Sequence, residues 1–341
     1  MAGTACSTLA RPKTTETRKT NLSVVILTFN EERNLPACLE SIQGLNAEVF
    51  VIDSGSSDRT LEIAKEYKTT ILSHPFETHA KQWLWALEAL PTTTNWVLGL
   101  DADQRLTPDL AQEIRTELGA RSREQGARSE ELSAKGTGQG AKSLELGVRR
   151  QEPRLREPGA GTTERLEQVG GFYIKRRQIF RGRWIRYGGY YPKYLLKLFR
   201  RDRVRIDPND LMDHHFYVDG RVAMLQYDLI EANKKEDDIS FWIEKHNRYA
   251  TLVAREELQR REETQHNFLQ ASLVGNPDQR TLRLKQLWWR LPLFVRPFLY
   301  FFYRYFIRLG ILDGKEGFIF HFMQAFWFRL LVDIKIEELQ Q

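Results

Sequence analysis

Cysteine is scarce in this chain of 341 residues, which contains only Cys6 and Cys38. Two cysteines cannot form a disulfide framework, so the sequence excludes a disulfide-stapled fold and favours a reducing compartment. The first twenty residues also lack the apolar segment that a secretory signal needs. They are rich in Thr, Ala, Lys and Arg, and we expect residues 1–20 to form a disordered leader.

Aromatic residues are absent from residues 119–170, although they make up 11% of the chain. This stretch is dense in Gly, Arg, Glu and Ser, and it repeats the tetrapeptide Gly-Ala-Arg-Ser at Gly119 and Gly126. A segment of this composition cannot bury enough apolar surface to offset the entropy of ordering it. We therefore expect 119–170 to be a low-complexity, disordered insert that the fold tolerates as a surface loop.

Acidic residues are absent from Thr281–Gly310, which contains six Lys or Arg and ten aromatic residues. Basic charge interleaved with aromatics fits either nucleic acid or an anionic membrane surface. Arg296, Arg304 and Arg308 are spaced by multiples of four residues, so they can share one helix face. The pattern favours a helix in a membrane interface and no nucleic-acid partner, since central arginines disfavour a spanning helix. Alternatively, these helices pad the domain, with the arginine heads in water.

Strand and helix patterns alternate over residues 21–118. Continuous apolar runs predict four strands, at Leu22–Thr28, Glu48–Asp53, Thr70–Leu72 and Trp96–Leu100. Apolar residues at helical spacing predict three helices between them, after Asn34, after Ser57 or Asp58, and from Lys81 to Leu90. This alternation is typical of an α/β fold with a parallel sheet and right-handed crossovers.

Polar residues stand where these strands end. The first strand ends in Thr28-Phe-Asn30-Glu31-Glu32, the second in Asp53, the fourth in Asp101-Ala-Asp103, and Lys81 opens the helix after the third. Ligands of open α/β sheets bind beyond the carboxyl ends of the strands. Two carboxylates two residues apart suit a hard divalent cation that also holds substrate phosphates. Each piece alone could be a helix cap or a strand end, but capping hardly explains all of them in this order.

These motifs together resemble a known family. The order T-F-N-E-E, then V-I-D-S-G-S-S-D-R-T, then W-V-L-G-L-D-A-D is similar to the inverting glycosyltransferases of family 2. The resemblance extends through Gly182–Pro192 and Phe241–Tyr249, in the manner of the branch that builds lipopolysaccharide cores and exopolysaccharides. It implies the GT-A fold, a Rossmann-like nucleotide-diphospho-sugar transferase fold with a mostly parallel central sheet, followed here by a helical, aromatic-rich membrane-associating region.

The resemblance also implies roles for the residues at the strand ends. The donor nucleotide sugar, with UDP favoured over GDP or dTDP, would be bound by Thr28, Asn30, Glu31, Asp53, Lys81 and Asp101. Asp103 would hold a divalent metal, Mn²⁺ or Mg²⁺, which stabilises the charge of the departing nucleoside diphosphate. A carboxylate would deprotonate the acceptor hydroxyl, which then attacks the anomeric carbon from the opposite face.

The catalytic base is the point where the sequence departs from its relatives. Many of them carry a His-Glu pair in the segment that reads Asp210-Leu-Met-Asp213-His214-His215 here, and His214 falls where the Glu would be. Asp213 is our first candidate for the base and His214 the second, because a histidine can serve at neutral pH. A surface histidine pair is the competing explanation.

The domain organisation follows from these segments. We expect a nucleotide-sugar-binding half at 21–118, an acceptor half at 171–235 and a helical, membrane-peripheral region at 236–341, with the leader and the insert outside them. The predicted function is transfer of a sugar, with inversion, to a saccharide or lipid-linked acceptor in surface polysaccharide or envelope glycan synthesis. We expect this on the cytoplasmic side, at the inner face of the cell membrane.

Two rival functions remain at this point. A nucleotidyltransferase would use a similar sheet but normally needs a Gly-rich, basic phosphate loop after the first strand, where this chain is acidic. A decayed family member would be a non-catalytic, membrane-associated binding protein. The insert after the metal site and the altered base segment favour that second rival.

Overall fold

The computed structural model describes residues 21–120, 169–210, 215–262 and 271–341. Eleven strands lie in these ranges: β1 Leu22–Thr28, β2 Glu48–Asp53, β3 Thr70–Ser73, β4 Trp96–Asp101, β5 Gln104–Leu106, β6 Val169–Phe180, β7 Arg183–Ile185, β8 Lys193–Arg200, β9 Val204–Ile206, β10 Phe216–Val218 and β11 Arg221–Glu231. The helices are α1 Leu35–Ile42, α2 Thr60–Glu66, α3 His79–Ala89, α4 at 108–120, α5 Ile239–Glu262, α6 Pro277–Trp288, α7 Arg296–Phe302, α8 Gly314–His321 and α9 Phe328–Gln340.

One mixed sheet organises the domain, with the order β3-β2-β1-β4-β8-β6-β11-β5. The first four strands of this order are parallel, which confirms the α/β fold expected for residues 21–118. In the second half, β8 runs antiparallel to β4 and to β6, and β11 runs parallel to β6. The carboxyl ends of β1, β2 and β4 therefore meet at one edge of the sheet.

The two faces of the sheet carry separate hydrophobic clusters, as expected for strands buried on both sides. Along β1, Val24 and Ile26 pack with Leu35 and Leu39 of α1, while Val25 packs with Trp83 of α3 on the opposite face. These β1 residues are fully buried. Because successive strand residues alternate between faces, the single apolar run Leu22–Leu27 serves both clusters.

A third cluster joins the C-terminal helices to the sheet domain. Trp242 and Ala250 of α5 pack with Phe328, Val332 and Ile336 of α9, and Phe180 at the end of β6 contacts the same cluster. The first helix of the region expected to be helical from residue 236 is the long helix α5. Gly310–Gln340 is a helical stretch long and apolar enough to cross a membrane by length and composition alone.

The three arginines predicted to share one helix face, Arg296, Arg304 and Arg308, do lie along one side of α7 and its helical continuation, Tyr303–Ile307. That side faces the protein: Arg296 is fully buried, and the guanidinium of Arg304 lies 3.9 Å from the centroid of the Tyr190 ring. Of the three predicted arginine heads, only Arg308 is exposed. The idea that the Arg296 and Arg304 heads lie in water is therefore wrong, because acidic and aromatic partners from other elements draw them inward.

Candidate functional site

The loop after β1 is built around a left-handed residue. Asn30 has φ of 53°, a conformation that Asn tolerates better than most side chains. Its N–H donates to Ser56 Oγ at 2.9 Å, and its side-chain oxygen accepts from the N–H of Ser57 at 2.8 Å. Asn30 thereby ties the loop after β1 to the loop after β2 and brings two predicted donor-binding segments together.

Asp53 at the end of β2 is buried and organises that second loop. One carboxylate oxygen accepts from Thr28 Oγ1 at 3.0 Å and from Ser56 Oγ at 2.5 Å. The other accepts the N–H groups of Gly55 and Ser56, both at 2.9 Å. Thr28 and Asp53, predicted to bind donor, thus contact each other directly. Four hydrogen bonds to one carboxylate fix the loop rigidly at the sheet edge.

Glu31 joins the loop after β1 to the segment that follows β11. One of its carboxylate oxygens lies 2.5 Å from Lys235 Nζ, and the other accepts from the amide of Asn34 at 2.8 Å. Lys235 also donates to the backbone oxygen of Asn30 at 3.1 Å. The lysine therefore holds the acidic loop from the segment that follows β11.

Asp101 is the last residue of β4, and the chain turns immediately after it. Asp101 and Asp103 therefore do not share one face of a single strand, because Asp103 lies in the turn between β4 and β5. Buried Ala102 packs into the core beneath the turn, which breaks the strand alternation. Asp101 Oδ2 pairs instead with Lys197 Nζ of β8 at 2.9 Å, and this lysine is 4% exposed.

Asp103 occupies the acidic centre of the site. Burial, and then the charges of Glu231 and Asp101, raise the pKa of the Asp103 carboxyl well above its ordinary value, with Glu31 adding to the effect and Lys245 opposing it. Within the described ranges, no hydrogen bond or ion pair engages this carboxylate. Asp103 is thus a partly buried acid surrounded by other acids, an arrangement that favours a cation.

Glu231 is held as Asp103's acidic neighbour by two donors. Gln104 Nε2 donates to one of its oxygens at 2.8 Å, and Arg176 Nη1 to the other at 2.9 Å. Gln104 is a neutral donor, and it fixes an acid that comes from β11. Lys245 Nζ of α5 pairs with Glu236 at 2.6 Å, so the Lys245 charge acts on Glu236 as well as on Asp103.

Lys81 lies apart from this acidic cluster. It opens α3, where its N–H donates to the capping Thr78 hydroxyl, and its ammonium pairs with Glu77 at 2.5 Å on the exposed surface. The neighbouring Gln82 is buried and reaches the loop after β2, donating to Ser54 Oγ at 3.2 Å. Of the two, Gln82 contacts the other predicted elements. A donor role for Lys81 stays a prediction.

The candidate bases Asp213 and His214 lie outside the described residues. Their described neighbours, Asp210 and His215, lie close together: Asp210 is buried and bound by Arg260 of α5, and His215 Nδ1 lies 3.5 Å from Asp210 Oδ2. The assignment of the base therefore stays a prediction.

An aromatic and basic surface continues from the acidic site along β6 and β7. Asp228 of β11 accepts from Arg177 Nε at 2.7 Å and from Tyr191 Oη at 3.0 Å. The Arg177 guanidinium lies 4.9 Å from the centroid of the Trp184 ring, which meets Tyr191 edge-on at 5.0 Å. Aromatic rings held in this way are suited to pack against the apolar face of a sugar.

Sequence reasoning missed three charged residues of the site, Lys197, Lys235 and Glu231. Lys197 could have been found, since it is a lone charge within the apolar strand run Leu195–Phe199. Lys235 and Glu231 lie in a polar stretch with no pattern that distinguishes them. Only the pairing of β11 with β5 and β6 brings Glu231 beside Asp103.

The residues present fit a divalent cation held mainly by its substrate. Among the described residues, no three His, Cys, Asp or Glu side chains form a group that could hold a metal alone. Asp103 nevertheless offers a free carboxylate amid an excess of negative charge. Mg²⁺ and similar ions are commonly bound by one or two carboxylates together with substrate phosphates, and this donor set matches that pattern.

Comparison with known proteins agrees with this geometry. Residues 23–123 match the model of the family described as Glycosyl transferase family 2. That range contains β2 to β5, all of β1 except Leu22, and every predicted donor and metal residue. The resemblance drawn from the motifs is thus confirmed over residues 23–123, which are similar to a family 2 glycosyltransferase domain, and the α/β, nucleotide-diphospho-sugar transferase fold class is confirmed with it.

Individual relatives match over the same part of the chain. An uncharacterized glycosyltransferase of Rickettsia typhi is 33% identical over 93 residues, 27% of this chain and 31% of that protein. The lipopolysaccharide core biosynthesis glycosyltransferase LpsC of Rhizobium meliloti is 35% identical over 111 residues, 31% of this chain and 40% of that protein. The chain thus spans about a third of the length of these curated relatives.

Among solved structures, glucosyl-3-phosphoglycerate synthase from Mycobacterium tuberculosis, in complex with Mn²⁺, UDP and glucosyl-3-phosphoglycerate, is 27% identical. The match covers 25% of this chain and 34% of that one, with a TM-score of 0.23.

Proposed function

We propose that this protein is an inverting glycosyltransferase. It transfers a sugar from a nucleotide-diphosphate sugar, a UDP-sugar by preference, to a saccharide or lipid-linked acceptor in the synthesis of a surface polysaccharide or envelope glycan. The observation that carries the proposal is the acidic edge of the sheet. There Asp53 ends β2, Asp101 ends β4 and Asp103 lies in the turn that follows β4, all within the segment that matches family 2.

The donor would lie across the carboxyl ends of β1, β2 and β4. The rigid loops after β1 and β2, joined by Asn30 and Ser56, form the wall for the base and ribose. Lys197 neutralises Asp101 beneath that position. Asp103 would hold Mn²⁺ or Mg²⁺, which supplies Lewis-acid stabilisation of the diphosphate.

The transfer itself needs a base and an open path for the acceptor. The acceptor hydroxyl gives its proton to the base, for which Asp213 remains our first candidate and His214 our second. Its oxygen forms a bond to the anomeric carbon while the bond from that carbon to the phosphate oxygen breaks. The nucleoside diphosphate leaves on the opposite face, so the anomeric configuration inverts. Trp184 and Tyr191 would position the acceptor.

The C-terminal helices support a location at a membrane. We infer that the protein is cytoplasmic and peripheral on the inner face of the cell membrane, with an anionic surface as partner. The support is a basic, aromatic-rich composition over Thr281–Gly310 and many exposed large apolar side chains in the same region.

The test is thermal stabilisation by UDP, GDP and dTDP, each with and without Mn²⁺. At about 100 times Kd a ligand adds about 2.7 kcal/mol, which should raise Tm by roughly 4 °C or more. We expect a Mn²⁺-dependent rise with one nucleotide, lost in Asp103→Asn because the metal loses its carboxylate ligand. The exposed Asp109→Asn is the matched control and should keep the rise.

Release of UDP from UDP-sugars, measured on the same preparations, separates an enzyme from a binding protein. A nucleotide-induced rise without turnover of any sugar nucleotide would favour the decayed, non-catalytic alternative. No rise with any nucleotide would contradict the donor site itself.

A further inference from the structure

One side of α7 and of the helical turn that continues it, Tyr303–Ile307, exposes an uninterrupted apolar stripe. Six side chains at positions 298, 299, 302, 303, 306 and 307 are each between 46 and 61% exposed: Phe298, Leu299, Phe302, Tyr303, Phe306 and Ile307. Their spacing places them on a single helix face. We call these six residues the insertion face. An exposed apolar patch of this extent is unusual in a soluble monomer and marks an interaction surface.

Buried arginines on the opposite side fix the direction in which the insertion face points. Arg296 forms ion pairs with Glu257 of α5 at 2.7 Å and with Asp333 of α9 at 2.5 Å. Arg304 lies over the Tyr190 ring and hydrogen bonds to Tyr300. Rotating the helix to hide the insertion face would expose these contacts, so the aromatic side must stay outward.

The insertion face continues onto the next turn of the chain and meets a basic rim. Ile311 and Leu312 are 48 and 53% exposed. The carboxylate of Asp313 accepts the backbone N–H groups of Arg186 and Tyr187 at 3.0 Å, which brings the β7 hairpin beside this apolar turn. The side chains of Arg186, Arg183, Arg308 and Lys315 are all exposed around it.

We propose that the insertion face enters the outer acyl layer of an anionic lipid bilayer, without spanning it, while the basic rim binds lipid phosphates. This inference rests on the membrane association in the proposed function and names its surface. Apolar side chains backed by a cationic rim are the arrangement by which interfacial helices bind such membranes. Trp184, on the same hairpin as Arg183 and Arg186, would then lie near the lipid surface.

Two observations argue for this occupant and depth. A second copy packed face to face would bring two cationic rims together, and like charges disfavour that contact. Spanning by Gly310–Gln340 would remove Asp333 from Arg296 and leave both charges in a lipid environment, which is costly. The inner side of α9, including Phe328 and Val332, is also already buried against α5.

The experiment is sedimentation of the full chain with phosphatidylcholine vesicles, with and without phosphatidylglycerol. We expect binding that persists in about 1 M NaCl, where charges are screened beyond about 3 Å, since insertion is apolar. Phe302→Gln/Phe306→Gln should weaken binding at least about tenfold, because each phenylalanine buries a large apolar area. Arg183→Gln/Arg186→Gln should keep salt-resistant binding but lose the preference for phosphatidylglycerol.

The matched control is Met224→Gln/Tyr227→Gln on β11, whose side chains are 51 and 44% exposed away from the insertion face. It should bind vesicles like the wild type. If the Phe302/Phe306 variant bound vesicles as tightly as the wild type, the insertion face would not be the binding surface. If alkaline carbonate failed to extract the bound protein, the protein would lie deeper than the interface.

The outcomes separate this inference from the proposed function. If the wild type bound no vesicle, both the insertion face and the membrane association of the proposed function would be contradicted. Sedimentation equilibrium would then test whether two copies dimerise through the same face. UDP release from a UDP-sugar in the absence of lipid tests catalysis alone, and the Phe302/Phe306 variant should retain it at the wild-type rate.

Discussion

Asp101 and Lys197 differ in their surroundings, and that difference decides how each would respond to loss of the other. The Lys197 side chain is 5% exposed, whereas that of Asp101 is 32% exposed at the sheet edge. Water can solvate Asp101 if its partner is lost, but it cannot readily reach Lys197. The pair is therefore asymmetric in energy even though the contact is mutual.

We predict that Asp101→Asn and Lys197→Met change the free energy of unfolding by unequal amounts. Asp101→Asn leaves a buried ammonium without a counter-charge and should lower the free energy of unfolding by about 3 kcal/mol. Lys197→Met replaces that ammonium by an apolar side chain of similar length and should change it by less than about 1 kcal/mol. Urea unfolding at neutral pH measures both. Equal losses of unfolding free energy in the two variants would contradict this asymmetry, because they would show that Asp101 needs Lys197 as much as Lys197 needs Asp101.

At this scale the sequence predicts residue types better than residue contacts. A helix was expected after Asn34, and α1 does follow it, but the Asn34 side chain caps no helix N–H, although Asn commonly does so. It contacts Glu31 at 2.8 Å and Asn233 at 3.1 Å instead. A partner 199 positions away is set by the packing of the second half of the sheet, and no local pattern encodes it.

Single strands and helices were the most predictable features. The apolar runs of β1 and β2 match the predicted bounds, and β4 ends one residue later than expected. α3 begins at His79, two residues before the predicted start, because Thr78 accepts the N–H of Lys81 and caps it there. Local capping chemistry can thus be anticipated in kind but shifts the boundary by a turn or less.

His246 on α5 links one helix to the pH dependence of stability. The ring is 8% exposed, stacks on Trp242 at 3.5 Å between centroids, and donates from Nδ1 to the Trp242 carbonyl at 2.9 Å. Burial lowers the pKa of His246 to about 4, from an ordinary value near 6.5. The imidazole is therefore neutral in the folded protein at pH values where the unfolded chain binds a proton.

This shift predicts a loss of stability in acid. Between about pH 6.5 and 4 the unfolded state carries the extra proton, so the free energy of unfolding falls as pH falls, by up to about 3 kcal/mol from this residue. Above pH 6.5 the contribution is fully present. Unfolding of wild type and His246→Phe across this range should show a shallower slope for the variant. Parallel slopes would mean that His246 titrates normally.

For the whole molecule, the sheet order is what the sequence could not provide. The strands on either side of residues 121–168 belong to one sheet, since β4 pairs with β8 and β5 with β11. These pairings join residues 100 or more positions apart, and no periodicity specifies their register. Tolerance of the insert stays our proposal.

Arg296 connects three helices of the C-terminal region in one buried network. Its guanidinium contacts Glu257 of α5 and Asp333 of α9 and lies 4.9 Å from the centroid of the Trp288 ring of α6. Asp333 also accepts the N–H of Phe294 at 2.8 Å. Two carboxylates thus share one arginine in a region closed to solvent, and this network holds the insertion face in its outward orientation.

We predict that Arg296→Ala lowers the free energy of unfolding by about 3–5 kcal/mol, because it removes the guanidinium that pairs with two buried carboxylates, Glu257 and Asp333. The exposed Arg290→Ala should change it by less than about 0.5 kcal/mol. Arg296→Met combined with Glu257→Gln and Asp333→Asn removes all three charges and should recover part of the loss. Urea unfolding measures each variant. An Arg296→Ala protein as stable as the wild type would mean that α7 is held by apolar packing alone, with its orientation free to change.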